Sequence, residues 1–110
     1  MQNNIPEPDW KTLSRLKPLA LERLCKRILQ VSGNILDRAQ EGEHYQAYLS
    51  LYKNIHASDE KVADCFNDWR RSQALNILAS WMSERLLTDE EFNTFSPETR
   101  AIVALFLKRG

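Results

Sequence analysis

Residues 19–41, LALERLCKRILQVSGNILDRAQE, decide the fold class of this 110-residue chain. When these residues are placed at 100° intervals, their apolar side chains gather on one side of a helix and their charged side chains on the other. Pro18 occupies a favoured first-turn position, and Gly42 is a typical stop signal. The sequence therefore predicts a long amphipathic helix that begins at Pro18 and buries one face. That face comprises Leu21, Leu24, Cys25, Ile28, Leu29, Val31, Ile35, Leu36 and Ala39.

The segments that follow Gly42 also have a helical period. A second helix is predicted at about residues 43–57, and Ser58 followed by two acidic residues predicts a new helix start. Between residues 59 and 87 the apolar stripe rotates by about 130° at residues 70–73. This segment is therefore either one helix with two sets of neighbours or two helices. One face of the second helix carries Tyr45, Tyr48, Leu49, Tyr52, Ile55 and His56.

Two further helix starts precede the C-terminus. Residues 88–91, TDEE, match a capping box, and residues 96–98, SPE, place a cap, a proline and an acid in order. Residues 85–92 resemble the short helical hairpins at the ends of many bacterial proteins, although eight residues of a general capping pattern define no family. The sequence predicts an all-α fold: a compact antiparallel bundle of four main helices plus a short helix. Residues 10–110 are expected to form one domain, preceded by a flexible N-terminal arm of residues 1–9.

Composition narrows the class of protein. The chain is 43% apolar and 27% charged, which is too apolar for a disordered protein, and no apolar run is long enough to span a membrane. The N-terminus lacks the basic and apolar regions of a secretory signal. Cys25 and Cys65 stand alone among apolar neighbours, which is typical of reduced, buried thiols. We therefore expect a cytoplasmic protein.

No motif in the sequence indicates catalysis or a cofactor. Glu41 and His44 have the spacing of a di-iron ligand pair, but only one copy exists and Gly42 interrupts it. His56 is expected to pack rather than to bind a metal. The chain has no nucleophile elbow and no glycine-rich phosphate loop. We predict a protein without metal, cofactor or catalytic residues.

Two polar segments are candidate sites, although 15 basic and 15 acidic residues leave the chain with zero net charge. The first is a basic patch for nucleic acid or another anion, with solvated helix faces as the favoured interpretation. Its residues are Arg15, Lys17, Arg23, Lys26 and Arg27. The second is the point where the stripe rotates, a candidate buried polar cluster or anion site in which Asp68 is expected to pair with Arg71. Its residues are Asp68, Trp69, Arg70, Arg71 and Gln73.

The C-terminal helix carries the prediction about partners. Residues 101–107, AIVALFL, are apolar all round, so neighbours must cover the helix on every side. We expect Ile102, Leu105 and Phe106 to dock on the bundle and Val103 and Leu107 to form the interface of a homodimer. The leading function is a small non-catalytic bacterial interaction or regulatory protein that self-associates. Two alternatives are less favoured than this function. One is a nucleic-acid or anion binder that uses the basic segment Arg15–Arg27, and the other is an enzyme or small-ligand carrier.

Overall fold

The computed structural model describes residues 5–109, and this part of the chain folds as α-helices joined by short turns without any β-strand. The prediction of an all-α fold with four main helices and one short helix is confirmed. The elements in chain order are α1 (Glu7–Arg38), α2 (His44–Val62), α3 (Ala74–Ser83), α4 (Asp89–Phe92) and α5 (Pro97–Arg109).

Helix α1 begins eleven residues earlier than the sequence predicted, because it runs through Pro18. A proline inside a helix removes one amide, and here the carbonyl of Ser14 loses its partner. Both Ser14 and Pro18 are exposed, so water can bond that carbonyl. The start of α1 is favoured by Glu7 and Asp9 in its first turn, where carboxylates suit the positive helix end.

The predicted flexible arm is wrong for residues 5–9, and residues 1–4 lie outside the described residues. Ile5 and Asp9 are each only 3% exposed. The guanidinium of Arg71 donates to the carbonyl of Ile5 at 2.8 and 3.2 Å. These bonds hold the N-terminal segment against the residues that precede α3.

Helix α2 continues through Ser58, so the predicted restart at that residue is also wrong. Ser58 is half-buried in the described structure, and its backbone stays helical. Beyond Val62 the chain forms a π-helical turn (Ala63–Asn67) and a 3-10 turn (Arg71–Gln73) before α3. The segment from 59 to 87 is therefore two helices, and the break between them lets both apolar stripes face one core.

The core is built by the N-terminal half of α1, the π-helical turn, α3 and α5, and Trp81 lies at its centre. Trp81 is fully buried and its Nε1 donates to the carbonyl of Cys65 at 3.0 Å. Its ring lies 6.0 Å from that of Trp69, which in turn lies 5.3 Å from Trp10. All three tryptophans of the chain thus belong to this part of the molecule, which we call the body.

The C-terminal half of α1 and most of α2 form an antiparallel hairpin that extends from the body. The described residues measure 58 × 25 × 23 Å, and α2 contains no fully buried residue. The two helices meet through half-buried side chains and through a 3.1 Å hydrogen bond from Asn54 to Ser32. Part of the molecule is therefore only two helices thick.

Candidate interaction surface

Large apolar side chains are exposed along the whole hairpin. Tyr45, Tyr48 and Tyr52 of α2 are 69%, 62% and 60% exposed, and Leu29 and Leu36 of α1 are 67% and 60% exposed. Ile55 continues the tyrosine stripe at 45% exposure. Scattered apolar residues are normal on a protein surface, but a row at helical spacing on two neighbouring helices is a contiguous patch.

The exposed residues of both helices lie on the same side of the hairpin. On α2 the tyrosines lie about a third of a turn from the side that packs on α1, which is marked by Leu51 and Asn54. On α1 the two exposed leucines lie about a quarter turn from Ser32 and its neighbours on the packed side. Both rotations have the same sense along the chain, and because the helices are antiparallel they bring the two sets of side chains to the same side of the hairpin. We call this surface the hairpin face: Leu29, Leu36, Tyr45, Tyr48, Tyr52 and Ile55.

The opposite side of the hairpin is polar and carries the body. Arg27 of α1 donates to the carbonyl of Glu84 at 2.7 Å, and Lys61 of α2 lies 3.6 Å from the Glu84 carboxylate. Both contacts attach the end of α3 to the side away from the tyrosines. Ser50 and Ala57 are exposed on that polar side. The body therefore leaves the hairpin face open along its length.

The hairpin face contains every tyrosine of the chain. The sequence has three tyrosines and three tryptophans, and the tryptophans all lie in the body. Tyr52 also stacks on His56 at 5.9 Å with nearly parallel rings, which places His56 beside the face rather than in a metal site. Chemical probes of tyrosine therefore report on the hairpin face, and tryptophan fluorescence reports on the body.

The predicted basic patch is divided by contacts within the chain. Arg23 forms two hydrogen bonds to Glu91, at 2.6 and 3.0 Å, and a third to the carbonyl of Leu86 at 2.7 Å. The ammonium of Lys17 lies 4.2 Å from the centre of the Trp69 ring. Arg27 binds the carbonyls at the end of α3.

Only two members of the predicted patch, Arg15 and Lys26, remain exposed without a recorded partner among the described residues. Arg85, next to the Arg27 contact, has a φ of 58° and ends α3 in the left-handed conformation. The bonds from Arg27 to the carbonyls of residues 84 and 85 fix that turn. Lys17, Arg23 and Arg27 of α1 thus bind parts of the body together.

The Arg23–Glu91 pair predicts a loss of stability in acid. The hydrogen bonds from Arg23 and from the Thr88 cap lower the pKa of Glu91 from 4.5 to about 2. The unfolded chain therefore binds a proton at Glu91 before the folded chain does. The stabilisation is fully present above about pH 4.5 and is lost as the pH falls toward 2. We expect thermal unfolding to show a steeper drop in Tm over this range for the wild type than for Glu91→Gln; parallel curves would contradict the prediction.

Residues 68–73, where the apolar stripe rotates, do not form a single polar cluster. Asp68 pairs with Arg70 at 2.7 and 2.9 Å, and both side chains are largely exposed. Arg71 instead binds the Glu7 carboxylate at 2.6 Å. The predicted pairing of Asp68 with Arg71 is wrong, because the chain breaks its helical spacing at residues 68–70.

Trp69 and Gln73, the other two predicted members, have separate roles. Trp69 stacks between Trp10 and Trp81. Gln73 accepts a 3.0 Å hydrogen bond from Asn76 in the first turn of α3. The five residues therefore contribute to packing and helix ends, and the geometry brings no anion site together.

The two neighbouring arginines predict a contrast in stability. Arg71→Ala removes the bonds to Glu7 and to the carbonyl of Ile5, and we expect the free energy of unfolding to fall by roughly 1–3 kcal/mol. Arg70→Ala removes only an exposed pair with Asp68, and we expect a change within about 0.5 kcal/mol. Chemical denaturation of both variants gives the comparison. Equal losses would show that Arg71 does not anchor the N-terminal segment.

Helix α5 is rotated from the predicted orientation, although Phe106 is half-buried on the inward side as predicted. Val103 is fully buried, whereas Ile102 and Leu105 are 39% and 56% exposed. The reason is Thr99, which donates to the buried carboxylate of Asp9 at 2.6 Å and so turns its own side of α5 inward. Val103 lies one turn further along that side. Its predicted place in an interface is therefore wrong, while Leu107 is 38% exposed.

Cys65, one of the two free thiols, is buried beside an open groove. Burial raises the pKa of the Cys65 thiol to about 11, with smaller contributions from Glu84 and Asp64. Residues 5–109 contain no group of three or more histidine, cysteine, aspartate or glutamate side chains placed to hold a metal ion. An open groove of about 380 Å³ beside Cys65 is lined by Lys61 and Glu84, which already lie 3.6 Å apart.

Searches of protein-family models, of curated proteins and of solved structures find no match to this chain. Among the helices of residues 5–109, none combines the length and the hydropathy that crossing a membrane requires. The sequence pattern identified the tyrosine stripe of α2 but did not show that the stripe is exposed. The sequence pattern does not show that α3, α4 and α5 all pack in the body, and for this reason none of them covers the stripe.

Proposed function

We propose that this chain is a non-catalytic interaction protein that binds another protein chain through the hairpin face. The observation that supports this proposal is the contiguous row of exposed tyrosine and leucine side chains on a two-helix extension. Tyrosine gives a large contact area at a small entropic cost, and it is enriched at the centres of protein interfaces. The body, in this proposal, is the scaffold that holds the hairpin in position.

The distribution of charged residues around the hairpin favours an apolar partner surface over nucleic acid. Asp37, Arg38 and Lys53 lie on other sides of their helices, whereas Asp59 continues the tyrosine stripe at its body end. A nucleic-acid site needs several free cations, and three of the five residues of the predicted basic patch, Lys17, Arg23 and Arg27, are engaged within the chain. The proposal therefore takes a protein as the partner. The unpaired thiols of Cys25 and Cys65 fit a reducing compartment, and we propose a bacterial cytoplasm as the setting.

The proposal is tested by capturing bound proteins with tagged chains in the source cell. The test variant is Tyr48→Lys/Tyr52→Lys, which makes the hairpin face charged without removing a buried side chain. The matched control is Ser50→Lys/Ala57→Lys, which adds the same charges on the polar side of α2. We expect the control to retain its bound proteins, including any untagged copies of the chain, and the test variant to lose them. Identical sets from both variants would contradict the proposal.

A further inference from the structure

We infer that the occupant of the hairpin face is a second copy of this chain, so that two hairpins pair into a four-helix bundle. This inference rests on the proposed function and names the partner of the same surface. A hairpin is a single layer of two helices, and its apolar side needs a second layer to exclude water. A second hairpin supplies that layer with the same apolar surface, as a two-fold dimer requires.

The area of the hairpin face matches the requirement of a stable dimer. A tyrosine carries roughly 150–250 Å² of surface, and the three tyrosines are each 60–69% exposed. Together with Leu29, Leu36 and Ile55 they offer on the order of 800 Å², which is about the area that each partner contributes to a standard interface. The exposed part of α5 is smaller, because Leu105 is flanked by residues that are only 38–39% exposed.

The charge of the chain favours a copy over other partners. The hairpin face carries no formal charge among its six residues, and the charge that continues its tyrosine stripe is the carboxylate of Asp59, so a strongly acidic partner would find no counter-ion there. With 15 basic and 15 acidic residues, two copies also experience no net repulsion.

The levels of the side chains along the hairpin fit a two-fold axis parallel to the helices. The bond from Asn54 to Ser32 sets Leu36 level with the gap between Tyr48 and Tyr52. About such an axis, α1 of each copy packs on α2 of the other, so each Leu36 enters the gap between two tyrosines of the other copy. A two-fold axis perpendicular to the helices would pack α1 on α1 and α2 on α2. Leucine would then lie on leucine and tyrosine on tyrosine, so the apolar layer between the hairpins would have an uneven thickness. Because the body lies on the polar side, it does not obstruct this pairing.

Sedimentation of the purified full-length chain tests the inference. We expect the wild type to sediment at twice the 12.8 kDa mass of one chain at micromolar concentration. Tyr48→Lys/Tyr52→Lys should raise the dimer Kd by roughly 100-fold or more, because both side chains lie at the centre of the interface. Ser50→Lys/Ala57→Lys and Leu105→Lys, on the polar side and on α5, should remain dimeric. Tryptophan fluorescence should be the same for all four proteins, which verifies that the body is folded.

Three results would overturn the inference. The first is a wild type that stays monomeric up to about 100 µM, a concentration at which a dimer with an interface of this area is expected to form. The second is a dimer that Leu105→Lys dissociates and the tyrosine variant does not, which would place the interface on α5. The third is a monomeric wild type that binds phosphatidylserine vesicles through its tyrosines. A monomeric wild type whose captured partners are lost in the tyrosine variant would end this inference and leave the proposed function standing.

Discussion

Trp81→Ala is expected to lower the free energy of unfolding by about 3–5 kcal/mol, which is a large part of the stability of a domain of this size. The side chain is fully buried, stacks on Phe66 and Trp69, and donates to the carbonyl of Cys65. Its removal leaves a cavity where the π-helical turn meets α3, and it leaves that carbonyl unpaired. Urea unfolding followed by circular dichroism measures the loss.

Trp69→Ala is the matched control for Trp81→Ala. It removes the same side chain from the same stack, but Trp69 is half-buried and its ring nitrogen has no recorded hydrogen bond within the described structure. We expect a loss of less than half that of Trp81→Ala. Equal losses, or a Trp81→Ala variant within about 1 kcal/mol of the wild type, would show that the core is not centred on Trp81.

Asp9→Ala is expected to lower the free energy of unfolding by about 2–4 kcal/mol. The buried carboxylate accepts hydrogen bonds from the amide and hydroxyl of Ser96 at 2.9 and 2.6 Å and from Thr99 at 2.6 Å. It thereby joins the first turn of α1 to the start of α5, where negative charge is favourable. Without it, three buried or half-buried donors lose their acceptor. Thermal and chemical unfolding of the variant measure the effect.

Glu98→Ala separates the hydrogen bonds of Asp9 from the general effect of charge at a helix start. Glu98 also lies in the first turn of α5, but it is exposed. We expect a loss within about 0.5 kcal/mol. If Asp9→Ala and Glu98→Ala lower the free energy of unfolding by the same amount, the hydrogen bonds between α1 and α5 do not contribute beyond the general effect of charge. In that case the orientation of α5 that buries Val103 needs another cause.

Local signals in the sequence predicted those parts of the fold that depend on neighbouring residues. The capping box at Thr88 and Glu91 forms as predicted, and α5 begins at Pro97. The periodicity of residues 19–41 correctly identified most of α1. These features rest on contacts three or four residues apart, so the pattern of the chain contains them.

Contacts between distant residues explain the predictions that were wrong. The buried carboxylate of Asp9 accepts hydrogen bonds from Ser96 and Thr99 at the other end of the chain, and no local pattern around residue 9 indicates them. These bonds decide which side of α5 faces inward, and no periodicity in residues 101–107 encodes it. Pro18 and Ser58 were both interpreted as helix starts, and the continuous helices α1 and α2 override these signals.

The hairpin face shows a second limit of periodicity. An apolar stripe such as that of Tyr45, Tyr48 and Tyr52 indicates that the residues pack against something, but not whether the covering helix belongs to the same chain. In this chain the remaining helices all serve the body. The sequence therefore predicted the stripe but not its exposure, and its coverage by another chain stays a proposal.

Footprinting of the three tyrosines tests most directly whether another chain covers the hairpin face. Hydroxyl-radical modification in intact cells, read by mass spectrometry, is compared between the wild type and Leu29→Lys/Leu36→Lys. This variant keeps all three tyrosines but makes the α1 side of the face charged. We predict that Tyr45, Tyr48 and Tyr52 react several-fold more slowly in the wild type, while Trp10 and Trp69 of the body react equally in both proteins. Tyrosines that react at the same rate in the wild type and in the variant would contradict the proposal that the hairpin face is an interface.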